Sequence, residues 1–346
     1  PDAAPPDATP ADAGPPDATP PDGGPTAPEI YADGDCFQGD PGDVFQTMPP
    51  DLTHVPRAFC TPFGRGWTEE GTDGLVRLYL EPDRAGAPPV LTPGGTLSVD
   101  AAVVLLPVTH PTHGVPNILR VDLVTREAEF VAPRNARQTT PARGPGVSAF
   151  VEAADDGHTR VVLVYDSRDT AECGRVGWDQ WGVGLSGDRL AWFERRPGSR
   201  RALLVHAPLS DCRLARVEHA LGGQVSPEAR LHGATDRFIW IETDADRRTG
   251  LHALDLRDVG AGPVPLHFTG GDPNPVDLAA HGEHLAVVSY SPRRHDLELF
   301  DLARGAKIDV LSDGNALLPS LSDAYVMWAE QAGDGPWKVR HERRPR

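Results

Sequence analysis

Apolar positions in this chain come in short runs that return about every 43 residues. Each run opens with an apolar residue and a small polar turn and closes on an aromatic-x-acid triplet. The clearest copies are LSGDRLAWFE from Leu185 to Glu194, LHGATDRFIWIE from Leu231 to Glu242 and LSDAYVMWAE from Leu321 to Glu330. AHGEHLAVVS, from Ala280 to Ser289, keeps the frame without the aromatic and the acid, and LSVDAAVVLL, from Leu97 to Leu106, is a further decayed copy. Phe150-Val151-Glu152 and Trp67-Thr68-Glu69 mark two more. A fixed period of this length is the signature of a propeller or a solenoid.

The segments between copies decide between these. A second apolar run follows each anchor, beginning at Leu119, Val162, Leu251 and Leu297, beyond tips rich in Gly, Asp and Pro. Two strand-like runs around such a tip predict a β-hairpin. No 3.6-residue apolar pattern separates one hairpin from the next, which excludes helical repeats. The runs are apolar at consecutive positions, as in Phe238-Ile239-Trp240-Ile241, so both faces of each strand must be buried. Sheets stacked face to face around an axis impose that demand. The anchors Trp67, Val104, Phe150, Trp192, Trp240, Val287 and Trp328 favour seven blades, with six plus an N-terminal extension as the alternative. The expected fold is therefore an all-β propeller over residues 29–346.

The pattern P-x-L-S-G-D-x-apolar-x-W-x-E, a hairpin, then apolar-x-apolar-x-D-L, resembles the repeats of TolB-like (PD40-type) β-propellers. LPSLSDAYVMWAE from Leu318, NPVDLAAHGEHLAVVS from Asn274 and LELFDLARG from Leu297 carry the similarity, which covers most of residues 55–346. The resemblance implies a periplasmic or surface protein that acts as a binding scaffold.

The first 28 residues differ in kind. Asp recurs at positions 2, 7, 12, 17 and 22 among ten prolines, with no basic or large apolar residue. Such a tract cannot bury enough surface to offset its ordering entropy, and is expected to be a disordered, extended acidic spacer. The chain begins at Pro1, and no apolar stretch reaches the 18 or more residues of a membrane span. An export signal upstream, with a lipid anchor as one option, is therefore expected, giving a periplasmic, outer-membrane-tethered or secreted monomer. A net charge of −17 disfavours nucleic acid.

Cys36, Cys60, Cys173 and Cys212 lack C-x-x-C spacing, so zinc and dithiol redox chemistry have little support. An even number in an exported chain suggests disulfides. Of three possible pairings, 36–60 with 173–212 links neighbouring turns of one ring; the second would clip the third blade's outer edge to the fourth. Closure of the ring is expected from residues near Val44–Gln46, pairing with the last blade to remove an open edge.

Candidate chemistry is sparse. Residues two apart on a strand share a face, so Glu69, Glu152, Glu194, Glu242 and Glu330 are expected to form a partial ring near one mouth. That ring would be a cation or basic-peptide interaction site, or a set of carboxylates paired with Arg195, Arg200 or Arg248. Asp33, Asp35, Asp40 and Asp43 form the densest group of oxygen donors, without the D-x-D-x-D-G order or closing Glu of a calcium loop. The pairs His110/His113 and His281/His284 fall at turns, where the helical H-E-x-x-H geometry of a metalloprotease is impossible. No G-x-S-x-G occurs, and within these 346 residues no segment remains for the hydrolase domain that prolyl-oligopeptidase-type enzymes add to such a propeller. No catalytic, metal or cofactor residues are assigned. The expected function is a noncatalytic scaffold that binds a protein partner in the cell envelope. The alternatives are an enzyme acting on a carbohydrate or peptide in the central channel, near Asp179, Trp181, Glu228 and Asp277, or a propeller binding a small ligand or ion.

Overall fold

The computed structural model describes residues 44–47, 55–81, 87–93, 95–258, 260–291, 294–312, 314–322 and 325–344. The expected spacer, the acidic loop of Asp33, Asp35, Asp40 and Asp43, and Cys36 lie outside the described residues.

Among the described residues the strands form seven successive antiparallel meanders, with one 3-10 turn at Leu209–Asp211 as the only helical segment. The sixth and seventh are joined by a single parallel pair, His295 with Asn315. Each anchor lies on the second strand of its meander: Trp67 in Gly64–Glu70, Val104 in Val103–Thr109, Phe150 in Val147–Ala153, Trp192 in Arg189–Arg195, Trp240 in Arg237–Thr243, Val287 in His284–Ser291 and Trp328 in Tyr325–Gln331. The turn ahead of each of the first six anchors is a two-residue link between first and second strands. It holds a left-handed residue at Ala101, Gly146, Gly187, Asp236 and Gly282, the backbone hand that a tight hairpin needs.

Consecutive burial on these strands has a simple cause, because alternate side chains enter different interfaces. Trp192 packs with Val147, Leu163 and Val205 between the third and fourth sheets. Its neighbours Ala191 and Phe193 pack with Phe238 and Trp240 between the fourth and fifth. The anchors therefore face the preceding sheet throughout: Val104 the first, Phe150 the second, Trp240 the fourth, Val287 the fifth and Trp328 the sixth. The last interface closes the circle, since Ala58, Cys60 and Trp67 of the first sheet pack on Tyr325, Met327 and Val339 of the seventh. The structure is a β-propeller.

Closure is made by strand pairing as well. Val44–Thr47 lies antiparallel to the final strand, Trp337–Arg343, with Val44 opposite Arg340 and Thr47 opposite Lys338. The seventh meander is thus completed from the N-terminal side of the chain, at the place the sequence indicated. The Cys173–Cys212 disulfide spans a Cα–Cα distance of 5.4 Å and joins the outer strand of the third sheet, Thr170–Cys173, to the loop after Leu209–Asp211 in the fourth. Cys60 is disulfide-bonded as well; its expected partner, Cys36, lies outside the described residues.

Candidate functional site: the central channel

The first strand of each meander borders the axis. Together these strands frame a lumen formed by two cavities, one of about 450 Å³ and one of about 910 Å³. The smaller is lined from all seven sheets, by residues such as Ala58, Ser98, Ala142, Ser186, Gly233, Ala280 and Ser320. The inner strands of the fourth and fifth sheets approach so closely that a Cβ on Gly233 would fall 1.8 Å from the Leu185 carbonyl oxygen.

Arg57, Thr140, Arg230, His232 and Leu318 line both cavities and so form the waist between them. The inner strands are irregular at this level. Pairing with the second strand slips beside Thr140, Gly182, Val276 and Leu318, and Thr140, Gly182 and Leu318 have left-handed backbones with φ of 50°, 63° and 52°. A β-bulge re-aims the side chain it carries. Here bulges interrupt four of the inner strands, and Asp277, beside one of them, lines the wider cavity.

Electrostatically the waist is unlike the acidic body around it. The guanidiniums of Arg57 and Arg230 and the carboxylate of Asp277 lie within electrostatic reach of one another. Burial, with the positive charge of Arg57, pulls the Arg230 guanidinium down to about 10. Burial pushes the Asp277 carboxyl up, opposed by Arg230 and Arg57, while the backbone N–H of Leu278 donates to Asp277 Oδ1 at 2.9 Å. His232 is driven down to about 3 by burial and by Arg230, so its imidazole is neutral near pH 7.

The sequence-predicted acids stand elsewhere. Glu152 and Glu194 are fully buried and Glu242 is 4% exposed, so they present no open acidic ring at a mouth. Each instead pins the linker that enters its sheet from the preceding one. Glu152 accepts from Arg160 Nη2 at 2.7 Å and Gln138 Nε2 at 2.9 Å, and from Arg134 of the preceding linker. Glu194 accepts from the Arg175 backbone at 2.6 Å, Glu242 from the Gly223 backbone, and Glu330 from Ser312 Oγ at 2.8 Å. The shared strand face is evident in Trp240 Nε1 donating to Glu242 and Trp328 Nε1 to Glu330. Burial pushes the Glu194 carboxyl up, opposed by the Arg175 N–H and charge. Glu69 lies half-buried on the second strand of the first sheet. The cations involved are Arg134 and Arg175 from linkers and Arg160 and Arg340 from the adjacent third strands, rather than Arg195, Arg200 or Arg248.

Of the channel residues named from sequence, Asp277 and Glu228 line the wider cavity. Asp179 is held by His158 at 3.0 Å and Arg195 at 3.4 Å, and Trp181 Nε1 donates to the Ser226 carbonyl. His110 and His113 stack on each other at a turn, and His281 pairs with His284 across the next tight link. Among the described residues no group of three or more metal-ligating side chains converges. Arg57, Arg230 and His232 were not evident from sequence, although a signal exists. Residues 57, 140, 182, 230, 277 and 318 each stand ten positions ahead of an anchor.

No protein-family model and no curated protein matches the chain. Solved structures do. The β-propeller domain of the Trilobed protease from Pyrococcus furiosus, described as having an open velcro topology, aligns with a TM-score of 0.59 at 10% identity, over 84% of this chain and 98% of that one. A Mycobacterium tuberculosis puromycin-hydrolyzing peptidase aligns with a TM-score of 0.58 at 13% identity, over 89% of this chain and 55% of that one. Pyrococcus horikoshii acylaminoacyl peptidase gives 0.55 at 10%, over 84% and 51%. The present chain spans about half the length of these two peptidases. At such identities the likeness shows the β-propeller fold alone.

Proposed function

We propose that this chain is a noncatalytic recognition propeller of the TolB-like kind, which binds a protein partner in the cell envelope through a segment entering the central channel. The lumen carries this reading: it is framed by all seven inner strands, and Arg57, Arg230 and Asp277 line it. The Cys173–Cys212 disulfide supports an oxidising, exported location. The acidic spacer fits a tether that holds the ring away from a surface.

The peptidase character of the neighbouring structures favours a second reading, in which the channel serves an enzyme acting on peptides. Both are tested with the full chain immobilised and exposed to an envelope fraction and to a peptide panel. The proposal expects saturable capture without turnover, lost in Val276→Trp, which adds bulk at an exposed position of the wider cavity. Turnover of peptides or glycans, with capture no greater than background, transfers the function to the enzyme reading.

A further inference from the structure

Two arginines inside a lumen need something to face. Arg57 and Arg230 come from opposite parts of the chain, ahead of the inner strands of the first and fifth sheets, and meet where the two cavities join. The Arg57 backbone is fixed, its N–H donating to Thr68 Oγ1 at 2.8 Å and its carbonyl accepting from the Thr68 N–H. Neither guanidinium makes a hydrogen bond or ion pair with any described residue. Asp277 is the carboxylate within reach of both, and it accepts backbone N–H groups of Leu278 and Leu318. Elsewhere the protein pairs its arginines readily: Arg143, which lines the smaller cavity, holds Asp166 through two contacts of 2.9 Å. The waist thus holds two guanidiniums within electrostatic reach of one carboxylate, with neutral His232 alongside.

Resting on the reading that the channel is the recognition site, we infer that the waist is a carboxylate-binding site in which Arg57 and Arg230 clamp the anion and Asp277 is the internal charge that competes with it. Planar forks match a carboxylate in a two-point geometry, and their weak hydration makes them the cations suited to a confined site. The chain carries a net charge of −17, so its overall field repels anions, and these arginines supply local positive charge inside the lumen. A carboxylate can arrive on a polypeptide, as an acidic side chain or chain end, or as a free organic acid.

The test uses the full chain and calorimetric titration with two probes, citrate and an acetylated tetra-glutamate peptide. Wild type is expected to bind at least one of them, weakening as salt rises. Arg57→Met and Arg230→Met should each weaken binding by about ten- to a hundred-fold, the loss of one charge-assisted contact pair. Asp277→Asn should bind more tightly, because it removes the competing negative charge, and it keeps the test open should an arginine variant misfold. Binding of the peptide alone supports the site with a polypeptide source; equal binding of citrate supports it with a free acid. Binding of neither probe, or equal binding by wild type and both arginine variants, overturns the inference. Should partner capture persist in Arg230→Met yet vanish in Val276→Trp, the channel reading stands and the carboxylate site falls.

Discussion

His206 makes a prediction whose sign and size follow from its surroundings. It is fully buried on the third strand of the fourth sheet, Leu203–Pro208. Arg189 Nη1 lies 3.4 Å from its Nδ1, and His219 Nε2 lies 3.3 Å from its Nε2. A guanidinium can only donate, so Nδ1 accepts and the neutral ring carries its proton on Nε2, donating to His219. A second proton on Nδ1 would break the Arg189 contact and place like charges together. Burial first, then His219 and Arg189, pull the imidazole from its ordinary 6.5 to about 4. Between pH 6.5 and 4 the unfolded chain therefore holds a proton here that the native state refuses. Stability must rise with pH through that window and be lost as pH falls through it, by about 2 kcal/mol at pH 5 and about 3 kcal/mol below pH 4. Urea unfolding of wild type and His206→Leu at pH 5, 6, 7 and 8 isolates the effect, since the other histidines titrate in both. The variant should be less stable at pH 8, where Arg189 and His219 lose their partner, yet should close most of the gap by pH 5. Parallel pH profiles for the two proteins would refute the assignment.

Four further outcomes are expected. Breaking the 39-residue loop of the disulfide with Cys173→Ser plus Cys212→Ser should cost about 4 kcal/mol, read as a shift in denaturation midpoint against the oxidised wild type. Glu152→Ala removes the acceptor of Arg160 and Gln138 and should cost about 3 kcal/mol, with Glu152→Gln less harmful; equal effects of the two would show that shape and not charge holds the linker. Gly233→Ala drives a methyl into the Leu185 carbonyl and should cost about 3 kcal/mol, whereas Gly187→Ala, with nothing within 4 Å, should show only the smaller strain of its left-handed backbone. Deleting residues 29–50, which carry Val44–Thr47, should lower the thermal midpoint far more than deleting residues 1–28, and equal shifts would argue against closure through that strand.

The fold was largely readable because its periodicity is enforced by packing. Trp192 and Phe193 are both buried since each sheet is covered on both faces, so a continuous apolar run with a fixed return carries the architecture. Spacing told correctly that Trp240 and Glu242 share a face, but it could not tell depth. Glu242 is buried because a linker from the neighbouring sheet folds over it, and that packing leaves no trace in strand periodicity. The waist was harder still. Arg57 and Arg230 stand just ahead of the first strands of their sheets, Ala58–Thr61 and His232–Ala234, so they look like loop residues unless counted back from the anchors.

Ring closure also governs how the molecule can be made. Val44 and its partner Arg340 are about 300 residues apart, so Val44–Thr47 waits unpaired until the last strand has been synthesised. Contacts this distant form late and leave intermediates with bare sheet edges. A truncated product ending before Trp337 would keep its earlier meanders but have no final strand to receive Val44–Thr47, leaving the edge of Tyr325–Gln331 bare.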